Sequence, residues 1–259
     1  MKKKTVGIGL ILLIFFLSGC SDVNEPITED SEGFWNQLIV YPLSWLIVSI
    51  AGLFPGKFGY GLSIIIVTIF IRILILPFMV SQMKSSKKMN LIQPELEKLR
   101  KKYSSKDAVT QQKLKEEQLK LLQKYEINPL SGCLPALIQM PILLGLYHAI
   151  VRTEEIKSHS FLWFDLAARD PFYILPFLAG ATTFLQQKVM MRGVPYQNPQ
   201  MQMMLWLLPV MIVGFSFFVP SALVLYWIVG NLFTVVQSWF IKIPELEARA
   251  RGTLGGRKN

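Results

Sequence analysis

LSIIIVTIFIRILILPFMV, residues 62–80, is an apolar run close to the ~20 residues a helix needs to cross the hydrocarbon of a bilayer. Arg72 stands alone as a charge in its middle. An ionised arginine at the centre of a span costs about 2.5–3.5 kcal/mol on insertion scales. Whatever solvates that guanidinium decides both the fold and the use of this chain.

The rest of the sequence is of the same kind. The 259 residues are 52% hydrophobic and 17% charged, with a mean hydropathy of +0.39, which points to a membrane protein rather than an ordinary soluble domain. Further apolar runs fall at about 134–151, 173–190, 201–219 and 222–241, so five spans are expected. The net charge of +10 reads as topology, because Lys and Arg collect on the cytoplasmic side. With no aromatic-rich RNA-binding motif, direct contact with nucleic acid is not expected.

Loop charges orient the spans. Residues 81–133 hold twelve basic against six acidic side chains and are expected inside. Residues 152–172 hold three basic and four acidic and are expected outside. Lys188 and Arg192 place the next loop inside, the uncharged turn at Pro220 lies outside, and the tail 242–259 carries five basic residues against two acidic and lies inside. The five loops alternate as five spans demand, with the C-terminus cytoplasmic.

The N-terminus, MKKKTVGIGLILLIFFLSGC, has three lysines before an apolar stretch and ends in Leu17-Ser18-Gly19-Cys20. It reads as a secretion signal over 1–19 with a bacterial lipobox. Cys20 is then the expected lipidation site, carrying covalent diacylglycerol and an N-acyl (palmitate-type) chain, and no other cofactor or metal is expected. LSGC recurs at 130–133 behind a charged segment, so context and not the tetrapeptide carries the signal. Residues 20–33, with five acidic and no basic side chains, are expected to be a flexible external tether. Parity then places 34–54 along the outer surface as an amphipathic interfacial helix, with Trp35, Tyr41 and Trp45 suited to that depth and Pro42 weakening a straight span.

The basic loop has its own pattern. Ile92, Leu96, Leu99 and Tyr103, and then Leu114, Leu121, Leu122 and Tyr125, recur at helical spacing on either side of a turn at 104–107. Pro94 suits a first helical turn and Asn128-Pro129 a stop, so a cytoplasmic helical hairpin is expected over 82–128. Lipid headgroups, a ribosome or a nascent chain are its candidate contacts.

Enzyme signals are poor. His148 and His159 are the only histidines, there is no HExxH or GxSxG, and GLFPGK (52–57) has neither the glycine spacing nor the Ser/Thr of a phosphate loop. Arg72 lies nine residues before the inner boundary near Ser81, which sets its Cα about 13 Å deep at ~1.5 Å per residue. The five apolar runs contain no Asp or Glu, so the usual carboxylate partner is missing. A local water-filled cavity and pairing with backbone carbonyls remain open. Thr68, Gln139, Thr183, Gln187, Asn231, Thr234 and Gln237 cluster toward the cytoplasmic half and favour a polar groove open on that side. A secondary transporter or ion channel is the rival class, but it would bring repeated halves and intramembrane acids.

The lone arginine in IRILILP (71–77), the basic hairpin, INPLSGCLPALIQMPILLGLY (127–147) and NLFTVVQ (231–237) together resemble the YidC/Oxa/Alb membrane protein insertases, in particular the short lipoprotein form of Gram-positive bacteria. The resemblance covers about residues 34–242. It implies an all-α integral membrane protein with a five-span core over 55–241 and a hydrophilic groove centred on Arg72. Gln139, Gln187 and Gln237 are its expected lining residues. It implies insertion of single- and double-span nascent membrane proteins into the bacterial cell membrane, alone or beside the Sec translocon. Anionic lipids are also expected partners, and the ribosome a weaker one because the tail is short.

Overall fold

A computed structural model describes residues 25–125, 127, 134–191 and 199–240. The signal segment, Cys20, Asn128-Pro129, the second LSGC and the C-terminal tail lie outside these residues. After a π-helical turn at Asn36–Val40, the helices are α1 Tyr41–Ala51, α2 Gly59–Leu74, α3 Leu76–Lys102, α4 Ala108–Lys124, α5 Leu134–Arg152, the short α6 Glu154–Lys157, α7 Ile174–Met190, α8 Pro199–Ser216 and α9 Ser221–Phe240. A small antiparallel ribbon, β1 Ser160–Phe161 and β2 Phe164–Asp165, interrupts the expected all-α pattern, with Ser160 opposite Asp165 and Phe161 opposite Phe164.

Each of the five apolar runs contains a helix. Central α9 packs against α2, α5 and α7, α7 also carries α8, and α1 lies on α2 and α5. The core is built from Ile64 and Val67 of α2, Leu146 and Ile150 of α5, Leu175 and Ala179 of α7, and Leu223, Val224 and Tyr226 of α9. Gly180 brings α7 close to α8: a Cβ there would stand 2.3 Å from Val213 Cγ2. Among the described residues, α9 alone is long and apolar enough to cross a bilayer unaided, and α2 with Leu76–Ser85 passes only as a pair bent by 63°.

That bend corrects the continuous first span expected over 61–80. Pro77 has no N–H to give to the Ile73 carbonyl four residues back, so the ladder is interrupted and the axis turns at Ile75. The helix then runs on to Lys102, which also corrects Pro94 from a first-turn position to the interior of α3. Ile92 and Leu96 of α3 pack with Leu122 of α4, and Asp107 caps α4 by accepting the Thr110 N–H at 2.8 Å. Bonds from the Ser105 hydroxyl and the Thr110 N–H hold the Asp107 carboxyl well below the usual carboxylate range.

Exposure runs opposite to that of a water-soluble bundle. Phe70, Ile73 and Leu74 of α2, Phe177 and Leu185 of α7, Trp206, Val210 and Met211 of α8, and Val236, Trp239 and Phe240 of α9 are all exposed. Ser63, Thr68, Arg72, Thr183, Ser216, Asn231, Thr234 and Gln237 are buried. Apolar surface outward and polar side chains inward is the distribution lipid favours. In the 36–53 segment Val40, Ser44, Ile47 and Ala51 are buried, while Leu38, Trp45 and Leu53 are exposed together with Gln37 and Ser49.

The 152–173 segment ties one end of the bundle. Asp170, buried, accepts from Leu175 N–H at 2.6 Å, Trp163 Nε1 at 3.0 Å and Phe172 N–H at 3.1 Å, capping the start of α7. The Ala168 carbonyl accepts the Ser221 N–H at 2.7 Å and the Leu166 carbonyl the Ala222 N–H at 3.0 Å, so the same loop caps α9. Arg152, 5% exposed, donates to the Glu25 carbonyl at 2.7 Å and to Asn36 Oδ1 at 2.8 Å, while Ile27 N–H donates back to the Arg152 carbonyl at 3.1 Å. With Ile27 buried beside Trp35, Val40 and Ala149, the expected flexible tether is docked from Glu25 onward.

At Gly61 an added Cβ would meet the Phe161 ring at 2.1 Å and its Cβ at 2.6 Å. Overpacking of that kind costs about 1–3 kcal/mol against the ~1 kcal/mol of helix propensity alanine gains over glycine. Gly61→Ala is therefore expected to lower the melting temperature of the purified protein in detergent, and Gly61→Leu to lower it further.

Candidate polar site in the helix bundle

Arg72 occupies the last turn of α2, just before the break, where a cation complements the carbonyl end of the helix dipole. It is 7% exposed. Its Nη2 lies 3.5 Å from Gln139 Oε1 on α5, at the outer limit of a hydrogen bond. Its Nη1 points across the bend to Met79 Sδ at 3.6 Å, its Nε is buried without a partner, and its Cζ stands 5.8 Å from the centroid of the Tyr226 ring on α9. Gln139 Nε2 in turn donates to the Tyr226 hydroxyl at 2.8 Å. Among the described residues no carboxylate pairs with Arg72; the two ion pairs, Lys120–Glu117 and Lys157–Glu154, both lie elsewhere.

Gly230 makes this arrangement sterically feasible. A Cβ there would sit 2.4 Å from Arg72 Nη2 and 3.0 Å from its Cζ and Nε. The guanidinium occupies the space beside Gly230 of α9 where a side chain would otherwise be.

The other sequence-nominated residues form separate groups. Asn231 Nδ2 donates to Thr183 Oγ1 at 2.8 Å and to Thr182 Oγ1 at 3.3 Å, joining α9 to α7. Gln237 Nε2 reaches Met83 Sδ at 3.6 Å, leaving its buried Oε1 without a partner. Thr68 and Thr234 return their hydroxyls to the carbonyls four residues back, Ile64 at 2.6 Å and Gly230 at 2.9 Å. Gln187 Nε2 is buried without a partner. The structure thus brings Arg72 to Gln139 and Asn231 to Thr183, but not all six nominated side chains to one point.

Sequence reasoning missed Tyr226, Gly230 and the two methionines. Tyr226 sits in an apolar run and reads as packing. The signal that could have found it is its position eleven residues, about three turns, before Gln237, which puts the two on one face of the same helix. Met79 and Met83, four apart, likewise share one face of α3.

The described residues thus form a helical bundle with apolar side chains outward and Arg72 buried inside it. The family model described as "60Kd inner membrane protein" matches residues 52–248, and the chain belongs to that family. It is 55% identical to the membrane protein insertase MisCA of Bacillus subtilis (strain 168), over 99% of this chain and 98% of that one. It is 54% identical to a membrane protein insertase YidC of Oceanobacillus iheyensis, over 94% and 97%. Among solved structures it is similar to an active YidC insertase with its first transmembrane domain resolved, with a TM-score of 0.64 and 26% identity, covering 82% of this chain and 48% of that chain.

Because the clashing atoms at Gly230 end a flexible side chain, Gly230→Ala is expected to move the guanidinium rather than unfold the bundle. Its stability should stay within ~1 kcal/mol of the parent. The side-chain nitrogen resonances of labelled Arg72 should shift. In Gly214→Ala, where an added Cβ meets nothing within 4 Å, they should not.

Proposed function

We propose that this chain is a membrane protein insertase. It takes hydrophilic segments of nascent membrane proteins into a polar groove centred on Arg72 and releases their hydrophobic helices sideways into lipid. The observation that carries this is the buried guanidinium whose only polar acceptors among the described residues are a distant amide and a thioether. Moving a hydrophilic segment through hydrocarbon costs several kcal/mol of desolvation, and a polar groove part-way across shortens that path. In a low-dielectric setting the cation attracts an entering carboxylate more strongly than it would in water. Burial of the passenger's apolar helix in lipid supplies the driving force. Gln139 and Tyr226 flank the cation; Thr68, Gln187, Asn231 and Gln237 line the remainder.

In this reading α2, α5, α7, α8 and α9 are the five spans, short or bent helices being offset by tilt and by local thinning of the bilayer. The α3–α4 pair lies in the cytoplasm with the tail, and α1 lies at the outer surface. The mature N-terminus begins outside at a lipidated Cys20, in the bacterial cell membrane. Loop charge supports this orientation, and the basic faces of α3 and α4 suit anionic headgroups. The Sec translocon and, more weakly, the ribosome are the partners this arrangement would serve. No catalytic chemistry is assigned.

In proteoliposomes, Arg72→Ala is expected to reduce insertion of a single-span passenger with an acidic external segment by tenfold or more, the equivalent of the ~1.5–3 kcal/mol a hydrogen bond to a charged group contributes. Arg72→Lys should retain most of it. Unchanged insertion by the alanine variant would refute the reading. Separately, Cys20→Ser is expected to abolish incorporation of labelled palmitate in a bacterial host.

A further inference from the structure

We propose that Met79 is a placeholder acceptor for Arg72, a positioning residue whose weakness as an acceptor lets a passenger carboxylate take the guanidinium over. The inference rests on the insertase reading above. The contact is Nη1 to Sδ at 3.6 Å, and it spans the bend at Ile75. One turn further along α3, Met83 Sδ does the same for Gln237 Nε2 at 3.6 Å. Two polar groups from two different helices, α2 and α9, thus end on thioethers of a third. Beside them, Arg72 Nε and Gln237 Oε1 are buried and without partners, and both residues are more than nine-tenths buried.

The choice of sulfur is chemically specific. A thioether is a weak, neutral acceptor on a flexible chain. A leucine of similar volume would offer Nη1 no acceptor at all. A glutamine or glutamate oxygen would bind far more strongly, the carboxylate through a charge-assisted bond about twice as strong as a neutral one. Such a resident group would compete with the passenger for the same nitrogen. Methionine is apolar enough to sit half-buried against the bundle and is readily displaced by an anion. Its position completes the device. Met79 lies beyond the helix break while Arg72 lies before it, so a swing of α3 about Ile75 withdraws the sulfur without disturbing the α2–α9 contacts that hold the cation.

The test is a series at position 79 in the full-length protein: Met79→Leu, the parent, Met79→Gln and Met79→Glu, in order of rising acceptor strength. Two single-span passengers are inserted into proteoliposomes, identical except that the external segment of one carries acidic residues where the other has neutral ones. The readout is the ratio of acidic to neutral insertion rates, which a purely structural role would leave constant. The ratio is expected to be highest for leucine and the parent, lower for Met79→Gln, and at least tenfold lower for Met79→Glu. Should Met79→Glu fail to fold, judged by its melting temperature, the parent, leucine and glutamine proteins carry the comparison. A flat ratio, or a ratio for Met79→Leu as low as for Met79→Glu, overturns the proposal. If the parent protein itself fails to insert the acidic passenger, the insertase reading falls; a flat series in an active parent removes only the role given to Met79.

Discussion

The guanidinium of Arg72 has to be solvated, and the described bundle supplies little to do it: one amide oxygen at 3.5 Å, one thioether, and the face of Tyr226. Much of the local architecture follows from that shortage. Gly230 removes a side chain so that the cation can lie against α9. Tyr226 is held in place through the amide of Gln139. The break at Ile75 aligns Arg72 with the carbonyl end of α2, where partial negative charge accumulates. A salt bridge would have been a stronger solution for stability alone, since a paired buried charge is far less costly than an unpaired one. A resident carboxylate would also have left the site with nothing to offer an anion.

The same economy is visible over the whole bundle. Hydroxyls on α2, α7 and α9 are returned to their own helix backbones or paired across helices, as with Asn231 and Thr183. Large apolar side chains cover the outside of α7, α8 and α9. In water such a surface would drive association, but against acyl chains it needs no covering. Close approach of α7 and α8 at Gly180 replaces the hydrophobic driving force that helices lack in lipid.

Much of this was legible in the sequence, and the failures have physical causes. Four of the five apolar runs became helices within a few residues of the expected limits, and Arg72, Asn231 and Thr183 are buried while Gln139 is half-buried. The break at Ile75 was not read, although Pro77 stood in view. Hydropathy averages over a window and is blind to a single missing N–H. Pro94 was read by the same rule that holds for isolated helices, whereas in the fold it lies inside α3, well past that helix's start at Leu76. The docking of residues 25–27 on Arg152 depends on two segments more than a hundred positions apart, and an acidic composition alone predicted a free chain. Tyr226 and the two methionines were hidden because their types are ordinary in apolar helices, and only their neighbours in space give them meaning.

The knot formed by Leu166, Ala168 and Asp170 has a mechanical consequence. It clamps the starts of α7 and α9 together at one end of the bundle. The opposite end holds the proline break and the two thioether contacts, in which sulfur is a weak acceptor. Strain on such a bundle would be taken up first at the thioether end, where the bonds are weaker, and last at the knot.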